Sequence, residues 1–314
     1  MFWMSFIIKE MVLLSLKNNY IGALADLGLF TTSLLWGLSF PAMKILVDIY
    51  PVSWLLFLRF FFGGMITFIF FSKRILNISK SELKGGIIIG LFLFTALTTQ
   101  TIGLLYMSGG RNAFITAIYV ILVPLILWIF KKIFPGWIVL IAAGVCLAGM
   151  ALLAGDISEP LSIGDGFTVL SAFLYAGQIL SIAKYTQGSD PISISFIQFA
   201  VLAVCSLISG LIFETEFAFK LIHDYKFYLS AQGGFYQLIF MIFICSFICY
   251  TLQVCSQKFA NPTHAVIIMS LEAVFGLLSG IIFIGETVTL QAAMGCALIF
   301  FAVLMVELRH FVKI

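Results

Sequence analysis

A chain of 314 residues that is 62% hydrophobic and only 10% charged, with a mean hydropathy of +1.16, is too apolar to fold as a soluble domain. Its apolar stretches last about twenty residues, the length of a helix across roughly 30 Å of hydrocarbon, and lack the alternation over about ten residues of a membrane barrel. The fold class is therefore all-α integral membrane, and a net charge of +3 gives no reason to expect a nucleic-acid partner.

In chain order, residues 1–24 are apolar but interrupted by Lys9 and Glu10. They lack the basic start and small-residue cleavage site of a signal peptide, so an interfacial or disordered lead-in is expected. Ten apolar runs follow, at about 25–48, 51–72, 83–106, 111–130, 135–154, 162–184, 191–214, 235–257, 261–285 and 288–312. Each suits one crossing, so ten transmembrane helices are expected. Basic residues collect on the cytoplasmic side of short loops. With the N-terminus inside, Lys9, Lys17, Lys73, Arg74, Lys80, Lys84, Lys131, Lys132, Lys184, Lys258, Arg309 and Lys313 are cytoplasmic, against Lys44, Arg111, Lys220 and Lys226 outside. Both termini are thus expected in the cytoplasm of a cell carrying the protein in its cytoplasmic membrane. The aromatics Phe217, Phe219, Tyr225, Phe227 and Tyr228 suggest a short helix on the outer membrane surface within 214–234.

Two halves are visible. Lys44-x6-Pro51-x-Ser53 aligns with Lys184-x6-Pro191-x-Ser193 at an offset of 140 residues, Asn112-Ala113 with Asn261-Pro262 at 149, and Gly144 with Gly295 at 151. Residues 25–155 and 156–314 then form two five-helix repeats. Five is odd, so the second copy must be inverted relative to the first.

Residues at i, i+4, i+7 and i+11 share one helical face. Such polar and aromatic stripes occur in six runs: Thr32, Trp36, Ser39 and Met43 in the first; Thr95, Thr99 and Tyr106 in the third; Asn112, Thr116 and Tyr119 in the fourth. The sixth has Ser171, Tyr175 and Gln178, the eighth Ser246, Tyr250, Gln253 and Gln257, and the ninth His264, Ile268, Glu272, Phe275 and Ser279. Hydroxyls and amides of this kind also bond neighbouring backbone or glue helices together, so a shared cavity and plain helix packing both account for single residues. The fifth and tenth runs carry little beyond Gly, Ala, Cys and aliphatics, and read as lipid-facing or dimer-facing walls.

Glu272 stands out, because an ionised side chain at that depth costs roughly 2.5–3.5 kcal/mol and must face protein or water. Arg59 is the other such charge: it binds substrate, gates, or ties its helix to carbonyls and a carboxylate on a neighbour. His264 lies about 12 Å from Glu272 along one helical face, and either relays protons to it or is a hydrogen-bonded interface histidine. Pro41 and Pro124 permit kinks. Gly276 with Gly280, and Gly144 with Ala148, permit close helix approach. All six cysteines lie in apolar runs and read as small hydrophobes; Cys245 and Cys249 share a face, but no second pair or His-x3-His supports a metal site.

The motifs Leu35-Trp36-Gly37-Leu38-Ser39-Phe40, Leu58-Arg59-Phe60, Leu122-Val123-Pro124 and Ser270-Leu271-Glu272-Ala273-Val274 occur in order, followed by Gly285-Glu286 and Gln291-x3-Gly295. In these the chain resembles the drug/metabolite transporter superfamily, specifically its EamA-type ten-helix members. The resemblance implies two inverted repeats around a cavity formed by the first, third, fourth, sixth, eighth and ninth helices, and alternating-access transport of small metabolites, often export. It does not choose among amino acids, nucleobase-like compounds, cationic drugs and S-adenosylmethionine. Ala273 departs from the family's usual proline, which puts the kink of the ninth helix in question.

The expected protein is a secondary transporter whose cavity is lined by Trp36, Ser39, Asn112, Tyr119, Tyr175, Gln178, Tyr250, Gln253, His264 and Glu272, with Arg59 a gating or structural charge. Aromatic faces would hold an apolar or cationic part of the solute, and amides and hydroxyls its polar end, which favours amino acids or related amphipathic compounds. No nucleotide-binding loop is present, so a coupling proton or counter-substrate would drive transport, with no cofactor and a monomer or homodimer in the lipid bilayer. The rival is a membrane enzyme acting on lipid-linked substrate, with Glu272 and His264 as acid and base, but the acidic or histidine clusters of such chemistry are missing. A passive channel or packing scaffold comes third.

Overall fold

The computed structural model describes residues 18–107, 109–132, 134–154, 161–285 and 289–311. The lead-in before Asn18, and Asp156, Glu159, Glu286 and Lys313, lie outside the described residues. The first run is helix α1 (Asn18–Leu38) followed by α2 (Phe40–Ile49). Then come α3 (Val52–Ile75), α4 (Lys80–Leu104), α5 (Gly109–Thr116) with α6 (Tyr119–Lys131), and α7 (Trp137–Leu153). α8 (Ile163–Tyr185) and α9 (Pro191–Phe213) lead to two short helices, α10 (Thr215–His223) and α11 (Tyr225–Tyr228). α12 (Phe235–Phe240) passes through a π-helical segment, Met241–Cys249, into α13 (Tyr250–Gln257). α14 (Pro262–Met269), α15 (Leu271–Ser279) and α16 (Leu290–Phe311) complete the chain. Among the described residues, eight stretches are long and apolar enough to cross a membrane, while Trp137–Leu153 and Leu290–Val306 are apolar but shorter.

Helix starts follow from local chemistry. Ser79 and Glu82 form a capping box, each side chain bonding the other's backbone N–H at 3.2 and 2.7 Å. Asp190 and Asn261 cap α9 and α14 just ahead of Pro191 and Pro262, whose missing N–H is harmless in a first turn. The Pro-x-Ser pairs at an offset of 140 residues mark equivalent helix starts: Ser53 N–H donates to the Glu214 carboxylate (3.1 Å) at the end of α9, and Ser193 N–H to Asp190 (3.0 Å) beside Arg74 of α3. α3 and α9 therefore lie side by side and antiparallel. α7 and α16 do the same, with Gly149 against Gly295 and Ile299. The remaining contacts obey the same exchange of halves. α4 packs on α8 as α1 packs on α13, α4 on α9 as α3 on the π segment, and α6 on α8 as α15 on α1.

Three long helices are broken where the sequence leaves room for it. α1 ends before Ser39, and Pro41 sits in the first turn of α2. The break between α5 and α6 falls a turn before Pro124, where Ile118 and Val120 N–H reach back only three residues, to Ile115 and Ala117. α14 and α15 part at Ser270 although Ala273 stands where the resemblance implies a proline; the Ser270 hydroxyl bonds Ile267 O at 2.5 Å and competes with the helical ladder. The loop after Glu214 forms two short helices where one was expected. Its Phe217 packs on Tyr50, Trp54 and Tyr228.

Close approach also differs from expectation. A Cβ on Gly144 would meet nothing within 4 Å, whereas one on Gly149 would lie 2.7 Å from Gly295 O. A glycine in register with a crossing point matters; one a turn away does not. We expect Gly149→Ala to destabilise the protein by about 1–3 kcal/mol through overpacking, read as a lower thermal midpoint in detergent. Gly144→Ala, which adds only helix propensity, leaves that midpoint unchanged or raises it.

Candidate functional site

Glu272 opens the second half of a broken helix, and the crossing of α1 over α15 fixes where it points. Gly37 has no side chain to hold the helices apart: a Cβ there would lie 2.8 Å from both Glu272 O and Gly276 N. Ser279 Oγ of α15 donates to Gly37 O (3.1 Å), and Ser33 Oγ donates to Ile268 O of α14 (3.2 Å), so α1 is bonded to both halves of the broken helix. The Glu272 carboxylate itself makes no hydrogen bond or ion pair among the described residues. Its field falls on Tyr119, Tyr175, Tyr250, Cys245 and Cys249.

Those groups come from four separate elements. Trp36 of α1 meets Tyr250 of α13 at 4.9 Å with the rings tilted by 59°, and its indole N–H donates to Cys245 O in the π segment at 3.3 Å. Tyr250 also meets Phe60 of α3 at 5.3 Å, and Tyr119 of α6 meets Tyr175 of α8 at 6.2 Å. Tyr119, Tyr175 and Glu272 lie in the middle of their membrane-spanning stretches, away from both helix-bundle ends, yet are only half-buried. That combination belongs to side chains that border an internal space. The π segment that carries Cys245, Ser246 and Cys249 into this region is a helix type that recurs at functional sites.

The other expected residues are engaged elsewhere. Ser39 Oγ donates to Trp36 O (2.7 Å) and contacts the Cys245 thiol, holding the edge of the cluster. Asn112 Nδ2 donates to Gln100 O (3.1 Å) and Thr168 Oγ1 (2.9 Å), tying α4, α5 and α8 together. Gln100 in turn accepts from the Tyr175 hydroxyl at 2.7 Å and donates to Thr116 at 3.2 Å. Gln178 and Gln253 are fully buried towards the end of the bundle where α13 finishes; Gln253 Nε2 lies 4.0 Å from Met269 Sδ. At that same end His264 Nδ1 sits 3.3 Å from Asp26 Oδ1. The sequence stripes thus gather Trp36, Tyr119, Tyr175, Tyr250 and Glu272, with Ser39 at their margin. Asn112 serves as a helix tie in one layer, and Gln178, Gln253 and His264 lie in another.

Four contributors lay outside the sequence stripes. Asp26 and Gln100 are polar residues in apolar runs, and their partners sit on other runs. Arg111 grips Asp165 through Nε (2.8 Å) and Nη2 (3.1 Å), at the end of the bundle opposite His264. The signal for that pair was local: Ser162-x-x-Asp165 is a capping pattern, with Ser162 N–H bonding Asp165 at 2.6 Å. Ser246 carries Arg59. That guanidinium, 4% exposed, donates from Nε to Ser246 Oγ (3.3 Å) and from Nη1 to Met43 Sδ (3.7 Å). It reaches no carboxylate among the described residues.

Comparison with known proteins matches this arrangement. The sequence profile described as the EamA-like transporter family fits the chain twice, over residues 23–155 and 162–308. A protein of Archaeoglobus fulgidus named "Uncharacterized transporter" is 32% identical over 288 residues, covering 91% of this chain and 86% of the relative. A solved structure titled "Crystal structure of protein" superposes with a TM-score of 0.74 at 15% identity, covering 91% of this chain and 97% of the other, which speaks for the fold alone.

The Gly37 crossing generates a direct expectation. Gly37→Ala forces α1 and α15 apart against two backbone atoms, and should cost about 1–3 kcal/mol, measured as a fall in thermal midpoint that Gly22→Ala, whose new Cβ meets nothing within 4 Å, does not produce.

Proposed function

Because the chain belongs to the EamA-like transporter family of the drug/metabolite transporter superfamily, and is a multi-pass membrane transporter, we propose that it is a secondary transporter of a small amphipathic metabolite, working by alternating access. Amino acids and related compounds are the first choice of solute, carried as export from the cytoplasm or in exchange. All ten apolar helices cross the bilayer in this reading. α7 and α16 qualify because the 17 residues of α7 rise about 26 Å, close to the hydrocarbon thickness, and because the two pack along each other. The repeats are residues 25–155 and 156–314, inverted, with both termini in the cytoplasm of a cell whose cytoplasmic membrane holds the protein.

One observation carries the reading: Glu272, a carboxylate without a hydrogen-bond or ion-pair partner among the described residues, lies near Tyr119, Tyr175 and Tyr250, the last in ring contact with Trp36. A buried charge left unpaired is costly, and a solute that supplies the counter-charge recovers that cost only while bound. Ring faces flanking the carboxylate suit an ammonium group with an apolar substituent. The same features favour a second reading, an organic cation such as a cationic drug. S-adenosylmethionine, which also carries a cationic centre, belongs with it; nucleobase-like solutes use neither charge. An enzyme using Glu272 and His264 as acid and base is disfavoured, since the helix breaks between them at Ser270 and His264 faces Asp26. Coupling would come from a proton or a counter-substrate, with no nucleotide.

Counterflow of labelled amino acids in proteoliposomes tests this reading. Exchange is expected in the wild type, and Glu272→Gln should reduce it on the order of tenfold or more while eluting from gel filtration like the parent. Wild-type vesicles that exchange no metabolite would sink the transporter reading; undiminished exchange by the Glu272→Gln variant would make the carboxylate structural.

A further inference from the structure

We propose that Arg59 is the carboxylate anchor of the solute site, set across from Glu272, so that the transported solute is a zwitterion; this rests on the transporter reading above. An arginine keeps its charge at any pH a cell experiences, so burial obliges it to find acceptors. The two other arginines whose side chains are described do so with carboxylates: Arg111 holds Asp165 through two bonds of 2.8 and 3.1 Å, and Arg74 holds Asp190 at 3.2 Å. Arg59 is at least as buried as Arg111 but has a hydroxyl at 3.3 Å and a thioether sulfur, a weak acceptor, at 3.7 Å. Its Nη2 has no acceptor among the described residues, and the nearest ring, Phe60 at 5.4 Å, belongs to the next residue along the chain.

Its position makes the missing anion informative. Arg59 bonds Ser246, beside the Cys245 whose carbonyl takes the Trp36 indole N–H, and Gly37, the neighbour of Trp36, lies against the Glu272 backbone, yet among the described residues the two charges do not pair with each other. Two interior charges of opposite sign, neither paired with an opposite charge among the described residues, thus lie beside the linked rings of Trp36, Tyr250 and Phe60. A solute bearing only a cation would satisfy Glu272 and leave Arg59 buried without an anion, besides being repelled by it. A solute bearing only a carboxylate would do the reverse. A molecule with both groups on one carbon completes both sites: its carboxylate meets the planar fork of Arg59, its ammonium meets Glu272 and the ring faces, and its apolar substituent lies against Trp36 and Tyr250. α3, the helix of Arg59, carries none of the polar stripes, so charge rather than periodicity brings it into the site.

Matched solutes that differ in one charged group decide the matter. With the full chain in detergent, half-saturating concentrations for thermal stabilisation are measured for L-leucine, 3-methylbutylamine and 4-methylpentanoate, and for L-phenylalanine, 2-phenylethylamine and 3-phenylpropionate. Wild type should prefer each amino acid over its amine and over its acid on the order of tenfold or more, the worth of a hydrogen bond to a charged group. Arg59→Gln should erase the preference over the amine and keep the preference over the acid, Glu272→Gln should do the opposite, and Arg59→Lys should lie between wild type and Arg59→Gln. An arginine that only braces α3 against Ser246 would lower the thermal midpoint without moving these ratios. If wild type shows no preference for the amino acid over the amine, whether both bind alike or neither binds, the proposal is overturned; so too if Arg59→Gln retains the wild-type ratio. Should Arg59→Gln not fold, the wild-type ratios and Arg59→Lys carry the decision. Intact counterflow with equal binding of amine and amino acid removes this proposal alone, whereas loss of counterflow for every solute removes the transporter reading.

Discussion

Backbone contact between α1 and α15 at Gly37 is the constraint on which the rest of the interior depends. A carboxylate in a lipid-spanning helix is tolerated only if it is turned away from the hydrocarbon, and the Gly37 crossing, clasped by Ser279, turns Glu272 towards the meeting of the two halves. The same crossing carries Trp36, the neighbour of Gly37, onto Tyr250. The break at Ser270 completes the arrangement by letting α15 set its own direction, independent of the part of the helix that bears His264. Close packing of small residues, the usual means of helix association in lipid, here serves to place a charge.

Around that centre the two ends of the bundle are tied in a related way. At one end Arg111 of α5 grips Asp165 of α8; at the other His264 of α14 faces Asp26 of α1, and those two helix pairs exchange when the halves exchange. Flanking ties repeat the pattern, Ser53 and Trp54 on Glu214 at the first end and Arg74 on Asp190 at the second. Alternating access through such a bundle requires one end to part while the other holds. The ends are not chemically equal, because Arg111 and Asp165 form a bidentate ion pair, whereas His264 and Asp26 are an ion pair only when the imidazole is charged.

Much of the fold was legible in the sequence because its causes are local or periodic. Apolar runs set the helices, and the Pro-x-Ser repeat marked starts that the structure pairs antiparallel. The aromatic members of the site were legible for the same reason, since Trp36, Tyr119, Tyr175 and Tyr250 fall on stripes. What could not be read was which stripe residues would be absorbed by neighbours. Asn112 has the same spacing credentials as Tyr119, but Gln100 and Thr168 occupy its amide, and Gln100 lay on no stripe. Proline marked two of the three breaks, at Pro41 and a turn before Pro124, whereas the third, at Ser270, has no proline and its hydroxyl bonds Ile267 O instead. The tie expected between Arg59 and a carboxylate is absent among the described residues; only the three-dimensional arrangement could reveal that its acceptors are a hydroxyl and a sulfur.

The central claim is that the space bordered by Tyr119, Tyr175, Tyr250 and Glu272 opens in turn to the two sides of the membrane. Its most direct test uses a single reporter, Tyr119→Cys, in a variant with the six native cysteines replaced, in vesicles of known orientation exposed to a membrane-impermeant maleimide. The account predicts that the reporter is labelled from either side, and more slowly when an amino acid that is a substrate is present. Labelling from neither side, or from one side under every condition, would contradict it.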